Sequence, residues 1–437
     1  MNYDYRLAQY DIYHSMIHIL ALLKMGVLSP KEVESLNSAF KEILEEVKSG
    51  NFKYNPESED IHTEIQNRIE DKLGDLALKL HSFRSRNDQI IFDERFYCLT
   101  ESTQVLSLLA ENIIAFSKLA NEHKDDLFIG YTHTQRAQII RFKDYILAYY
   151  WMFSRDFQRL DSFLKNLEIP IGCGALAGSY IRKEDYIQAI RDFKKEWGKD
   201  LRITLSRNPL SDVSDRDFLL EFFGILSILQ MHLSRLAEDF ILYSTKEFDL
   251  LILPEEFCTG SSLMPHKKNP DFLELVRGYT GRIYGNLLSL FTTMKGLPLT
   301  YNRDMQLDKE PLFSSVEIIK SELKLMVGFI KEVKLNKKSV EKITRQDYSL
   351  YATELAEYMV EKGMPFSEAH QLVGKLIRDA EASGIQLKDL DTEILKSYSL
   401  YLDKDTLSRI CNPSYVIKRK RSIAPSKNSL AEQLFKK

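Results

Sequence analysis

The sequence predicts an all-α protein of three helical domains, and three observations carry that reading. Glycine and proline are scarce, 18 and 12 in 437 residues, which disfavours turn-rich sheet folds. Apolar residues recur at helical spacing through most of the chain. Five segments keep that spacing for roughly 24–32 residues, against a mean globular helix of about 11–12. Such lengths, apolar on several faces, predict a central five-helix bundle whose helices are covered by neighbours or by other subunits.

The elements follow in order. The first helix spans Ile12 to Lys24 and ends at Met25-Gly26. Ser29-Pro30-Lys31-Glu32 starts the second, with serine as the cap and proline in the first helical position. Glu59 to Leu73 is a third, stopped by Gly74. The long segments are Phe92 to His123, Phe142 to Leu167, Asp215 to Lys246, Phe272 to Lys295 and Leu307 to Glu332. Leu167 to Ile171 and Leu201 to Leu205 read as short extended pieces. A compositional break near Asn336-Lys337-Lys338 precedes a smaller helical region from Tyr348. The expected domains are therefore 1–84, 85–337 and 338–437.

Composition narrows the function classes. The net charge is −3, so the chain is not built around phosphate neutralisation and nucleic acid is not an expected partner. A hydrophobic fraction of 44% with 28% charged residues excludes global disorder. The most apolar stretch, Phe218 to Leu236, contains Glu221, Gln230 and His232, so a buried helix is expected rather than a membrane span. The N-terminus has charges where a signal peptide needs an apolar core. Cys98, Cys173, Cys258 and Cys411 lie far apart without a CxxC pair, as in a reduced, cytoplasmic protein.

Three polar stretches exceed what a helical framework needs: His81-Ser-Phe-Arg-Ser-Arg-Asn-Asp-Gln89, Gly130-Tyr-Thr-His-Thr-Gln-Arg-Ala-Gln138, and Thr259-Gly-Ser-Ser-Leu-Met-Pro-His-Lys-Lys-Asn-Pro-Asp271. One such stretch would be an ordinary loop. Three, all cationic and rich in donors, point to a site for a polyanionic small molecule. In the third, Gly260 supplies a hinge, Ser261 and Ser262 place two hydroxyls on a loop, and Asn269-Pro270-Asp271 opens a helix whose free amides favour a carboxylate. Other signals are weaker. Gly172-Cys-Gly-Ala-Leu-Ala177 matches a dinucleotide pattern but lacks a βαβ context, so a plain loop is expected. His14 and His18 have metal-ligand spacing without a third ligand, and no metal is expected. Lys418-Arg-Lys-Arg421 reads as a solvated basic run.

Gly260-Ser-Ser-Leu-Met-Pro-His-Lys-Lys-Asn-Pro270 resembles the signature of the fumarase/aspartase superfamily, whose members eliminate fumarate. Ser85-Arg-Asn-Asp-Gln89, Gly130-Tyr-Thr-His133, Val213-Ser-Asp-Arg-Asp-Phe218, His232 to Asp239, Thr293 to Gln306 and Asp308-Lys-Glu-Pro311 resemble its argininosuccinate lyase branch. The resemblance runs from Asp4 to Pro425. It implies a reversible, cofactor-free carbon–nitrogen lyase that converts argininosuccinate to arginine and fumarate. By carry-over, Ser261 is the base and His133, oriented by Glu274, the acid, with the opposite assignment left open. Lys267 and Asn269 would bind the carboxylate that gains charge. Asn87, Thr132, Tyr301, Gln306 and Lys309 would make further substrate contacts, joined by Ser85, Arg86 and His81. The resemblance also implies a homotetramer with a shared helix core and sites built by three subunits.

Four departures from the family bear on substrate range. The segment that normally supplies a substrate-binding serine would fall upstream of Met1. Phe83 stands where glycine is usual, and phenylalanine resists a positive φ. His266 replaces a usual glutamine, and Leu307 a usual acid. They leave two alternatives open: a sibling lyase for another N-substituted succinate such as adenylosuccinate, or a silent, crystallin-like structural homologue.

Overall fold

The computed structural model describes residues 3–55, 57–198 and 201–419. The end of the basic run, Lys420 and Arg421, lies outside them, as does Pro425. Among the described residues there are sixteen α-helices and eight short strands, the strands forming four two-stranded pairs.

The first helix, α1, is Ala8–Lys24, and α2 is Pro30–Lys48. A reciprocal cap opens α2: Ser29 Oγ accepts the Glu32 N–H (3.3 Å) and the Glu32 carboxylate accepts the Ser29 N–H (2.7 Å). Helix α3, Ile61–Leu73, is capped by Asp60 and ends at Gly74, whose φ of 60° suits glycine. Helix α4 runs Arg86–Glu122, about 55 Å at the usual rise per residue. It starts at Arg86 rather than Phe92 because Ser85 Oγ accepts the Asn87 N–H (3.2 Å).

Strands β1, Leu127–Thr132, and β2, Gln135–Arg141, form an antiparallel hairpin where the sequence reading placed only a loop. Helix α5 follows (Phe142–Asn166). The two expected extended pieces are β3, Ile169–Ile171, and β4, Ile203–Leu205, paired in parallel around α6, Lys183–Trp197. Then come α7 (Pro209–Ser214), α8 (Asp217–Ser244), β5 (Leu251–Ile252), β6 (Thr259–Gly260), β7 (Lys268–Asn269), α9 (Asp271–Met294) and α10 (Lys309–Glu332). Strand β8, Lys334–Leu335, pairs with β5. The suspected break at Asn336 is a helix cap: its side chain accepts the Ser339 N–H and starts α11, Lys337–Gln346. Helices α12 to α16 span Ala352–Glu361, Phe366–Ala382, Thr392–Tyr398, Lys404–Ile410 and Pro413–Arg419.

The chain divides into two compact units, and each of the five long helices has residues in both. The first unit holds Met1–Leu108, Asp156–Met231 and Gly278–Leu323. In it Phe163 of α5 stacks on Phe222 of α8, centroids 5.4 Å apart, and Asn286 of α9 donates to Ser315 of α10 (2.9 Å). The second unit holds Leu109–Arg155, His232–Arg277 and Lys324–Lys437. In it Phe116 of α4 packs edge-on against Phe153 of α5, and Tyr149 of α5 donates to Asp239 of α8 (2.5 Å). Its last helices bury Leu355, Met359, Leu376, Leu395 and Leu407 in one cluster. Helix α8 is long and apolar enough to cross a membrane, but 61% of its apolar window is buried, as in a core helix.

Candidate active site

The expected site residues fall into two groups, one in each unit. In the second unit, His133 sits at the tip of the β1–β2 hairpin. Thr132 pairs with Gln135, so the turn has two central residues, His133 at φ 54° and Thr134 at φ 57°. Both are left-handed, as a type I′ turn requires, and neither is the asparagine or glycine that adopts this cheaply. The hairpin is anchored below: Phe128 is fully buried and stacks on Tyr145, centroids 4.7 Å apart. Burial of such a ring contributes about 2 kcal/mol. A rigid stem thus carries an exposed imidazole with no side-chain hydrogen bond among the described residues.

Ser261 heads the exposed loop between β6 and β7, a ladder in which Gly260 faces Lys268. Phe257 and Phe272, centroids 5.6 Å apart, brace its base. Ser261 Oγ accepts the N–H groups of Leu263 (3.3 Å) and Met264 (3.0 Å). Two donors on one hydroxyl oxygen favour its ionised form. Asn269 ends the ladder, and Glu274 lies in the first turn of α9. Leu263 is 83% exposed, so the loop presents an apolar tip. Ser261, Lys267, Asn269 and Glu274 are therefore brought together on one loop–helix junction. Within the chain no hydrogen bond among the described residues joins them to His133.

The first unit carries a cavity of about 300 Å³. Arg86, Asn87, Tyr301, Gln306 and Lys309, all expected, line it. Ser85 and His81 do not line it: Ser85 caps α4, and His81 is drawn down in pKa by burial and by Arg84 and Arg86. Arg86 pairs with Glu59 (3.2 Å) and Asp60 (3.1 Å), and the Asn87 amide donates to the Ala175 carbonyl (3.2 Å). The sequence reading missed Asp4, Asp60, His62 and Arg216 on the cavity wall. Arg216 lies inside a quoted motif and Asp4 starts another, so those two were within reach. A single histidine opening a helix carries no such mark.

His62 is held from behind. Its Nδ1 lies 2.8 Å from Asp11 Oδ1, which also accepts the Gln89 amide (2.6 Å). Burial alone would raise the Asp11 pKa, but His62, Arg84 and His14 hold it down at about 2. Asp93 adds a third donor atom, all within 4.8 Å. The N–H groups of His62 and Gln89 already occupy Asp11, which leaves a metal ion poorly served there.

The loop under Asn87 explains the dinucleotide-like glycines. The Asp88 carboxylate accepts the N–H groups of Gly172 (3.0 Å), Cys173 (3.2 Å) and Gly174 (3.4 Å). The nest that would hold a phosphate already holds this chain's own anion. A Cβ on Gly174 would stand 2.3 Å from the Gly178 carbonyl oxygen. His18 Nε2 lies 2.9 Å from the Ser82 carbonyl, so this histidine braces the loop. Phe83 does adopt a positive φ, 61°. Its carbonyl accepts Ser179 Oγ (2.8 Å) and its ring leans on Tyr180, which pins the unfavoured conformation. His266 and Leu307 are exposed.

Known proteins share this framework. The profile of a lyase family matches residues 1–285, and that of the argininosuccinate lyase C-terminal region matches 349–418. The argininosuccinate lyase of Carboxydothermus hydrogenoformans is 40% identical, over 99% of this chain and 93% of its own. That of Caldanaerobacter subterraneus subsp. tengcongensis is 42% identical, over 97% and 94%. Among solved structures, an EDDS lyase variant with bound fumarate superposes with a TM-score of 0.81 at 20% identity, over 99% of this chain and 86% of that one. A Brucella melitensis fumarate lyase:delta crystallin bound to cobalt gives 0.79 at 21%, over 94% and 91%. These two support the fold.

Proposed function

The chain belongs to the argininosuccinate lyase family of the fumarase/aspartase superfamily, and from that premise we propose that it cleaves argininosuccinate reversibly to arginine and fumarate. The carrying observation is the Ser261 hydroxyl, which accepts two backbone N–H groups on a loop shared with Lys267 and Asn269. The proton to be removed sits on a carbon beside a carboxylate. Its loss leaves a dianionic aci-carboxylate, which needs fixed donors and positive charge. Ser261 takes that proton, its alkoxide stabilised by the Leu263 and Met264 amides. Lys267 and Asn269 hold the carboxylate as it gains charge. His133 protonates the departing guanidino nitrogen as the carbon–nitrogen bond breaks.

The first-unit cavity takes the rest of the substrate. Lys309, Asn87 and Gln306 suit its carboxylates, and Asp4 and Asp60 suit its ammonium and guanidinium groups. As the family resemblance implies, we take the complete site to be a composite of neighbouring subunits in a homotetramer, with His133 and Ser261 on separate loops. Helix α9 fits the shared core: Leu275, Tyr279, Tyr284, Leu288 and Phe291 are all exposed along it. The domains 1–84, 85–337 and 338–437 are our division of that assembly, and the four free thiols suit a reducing cytoplasm.

The test is ultraviolet detection of fumarate released from argininosuccinate by the purified chain. Wild type should turn over, and Ser261→Ala should lose at least about a thousandfold in kcat while remaining tetrameric. Full activity in Ser261→Ala would remove the serine from the reaction.

A further inference from the structure

Glu94 lies on α4 behind the cavity wall and is fully buried. It does not line the cavity, yet it touches both of the buried cations that do. Its carboxylate is 3.0 Å from Arg216 Nε and 3.2 Å from Lys309 Nζ. Asp308 approaches the same two nitrogens from the other side, at 2.8 and 3.0 Å. The four groups form a closed ring of alternating charge. Arg216 also gives one N–H to the Asp215 carbonyl (3.0 Å). Arg216 Nε and one Lys309 N–H donate to Asp308, whereas Glu94 meets both cations as an ion pair without a hydrogen bond, so one Nη1 N–H, both Nη2 N–H groups and two Lys309 N–H groups are left for other partners.

We propose that Glu94 is a positioning residue for the substrate carboxylates, acting by fixing the directions of Lys309 and Arg216. The proposal rests on the reading that Lys309 binds the substrate. Asp308 balances one of the two cations and Glu94 the other. Buried ion pairs are a poor source of stability. Beyond charge, the second carboxylate adds direction: a lysine ammonium on a flexible stem, flanked by carboxylates 3.0 and 3.2 Å away, is drawn to one orientation. The charged and titratable groups facing Glu94 are Arg216, Asp308, Lys309, and Asp93 and Cys98 on its own helix. Burial first, then Asp308, push its pKa up against the pull of Arg216 and Lys309. Its hold on the two cations therefore weakens as pH falls.

The experiment compares wild type, Glu94→Gln and Glu94→Asp by fumarate release between pH 6 and 8. Glu94→Gln should raise KM for argininosuccinate about tenfold and change kcat by less than about threefold, since uniform binding is lost. Wild-type KM should rise toward pH 6, the Gln variant should be flat, and Glu94→Asp should recover part of the wild-type behaviour. A wild-type KM and pH profile in Glu94→Gln would overturn the proposal alone. So would parallel losses in kcat, KM and melting temperature with the pH profile kept, the mark of a structural role. Should Glu94→Gln fail to fold, Glu94→Asp decides: the shorter side chain draws the carboxylate back from both cations, so a wild-type KM in that variant overturns the proposal. Absence of fumarate release by wild type would instead overturn the lyase reading, and this inference with it.

Discussion

Glu322 on α10 is a carboxyl group placed at a cost that pH should reveal. It is 5% exposed, and no ion pair among the described residues reaches it. Burial pushes its pKa from 4.5 to about 8, partly offset by the Gln230 amide on α8. In the unfolded chain the proton leaves near 4.5, whereas in the folded chain it stays to about 8. Stability is therefore full below pH 4.5 and falls by about 1.4 kcal/mol per unit as pH rises toward 8. Glu322→Gln keeps the shape and removes the titration. Its stability advantage over wild type should grow by about 2 kcal/mol between pH 6 and 7.5. Urea denaturation at both pH values, at one fixed protein concentration, measures this. A difference independent of pH would refute the reasoning, because it would mean that burial does not keep Glu322 protonated in the folded chain.

Two further predictions follow from the loops around the cavity. Gly174→Ala should destabilise by about 3 kcal/mol or more, since its φ is 58° and its Cβ would strike the Gly178 carbonyl; thermal melting checks it. Phe83→Gly should leave the melting temperature within a few degrees of wild type, because relief of about 1–2 kcal/mol at φ 61° offsets loss of the Tyr180 contact. Phe83→Val, branched at Cβ and without the ring, should melt distinctly lower than either.

Much of the architecture was legible because helices announce themselves. The Ser29 cap stands where spacing placed it, and the long helices match to within a few residues except at the start of α4. The β1–β2 hairpin was not legible, for a physical reason. Its two-residue turn is made by His133 and Thr134, not by the Asn-Gly or Asp-Gly pair that marks such turns. The proposed acid, His133, occupies the position where the structural signal would have stood. The site divided in the same way. Donor-rich loops singled out the stretches that hold Ser261, Lys267 and Asn87, whereas Lys309 came from the family resemblance alone. Asp60, His62 and Glu94 are single common residues on helices or their caps, and only the fold brings them together. The proposed sharing of sites between chains would depend on surfaces such as α9, and no spacing rule encodes it.

The Asp88 carboxylate carries a consequence for the order of biosynthesis. Its three amide partners begin 84 residues downstream, and Ser179 must also arrive before Phe83 is pinned. At translation rates of about 5–20 residues per second, the first turn of α4 waits roughly 4–17 s on the ribosome with its acceptor unfilled. The loop before α4 thus matures only once Ser179 has been made, although its residues are among the earliest. Nascent chains stalled before Gly172 should expose it to proteases, and chains stalled well past Ser179 should protect it.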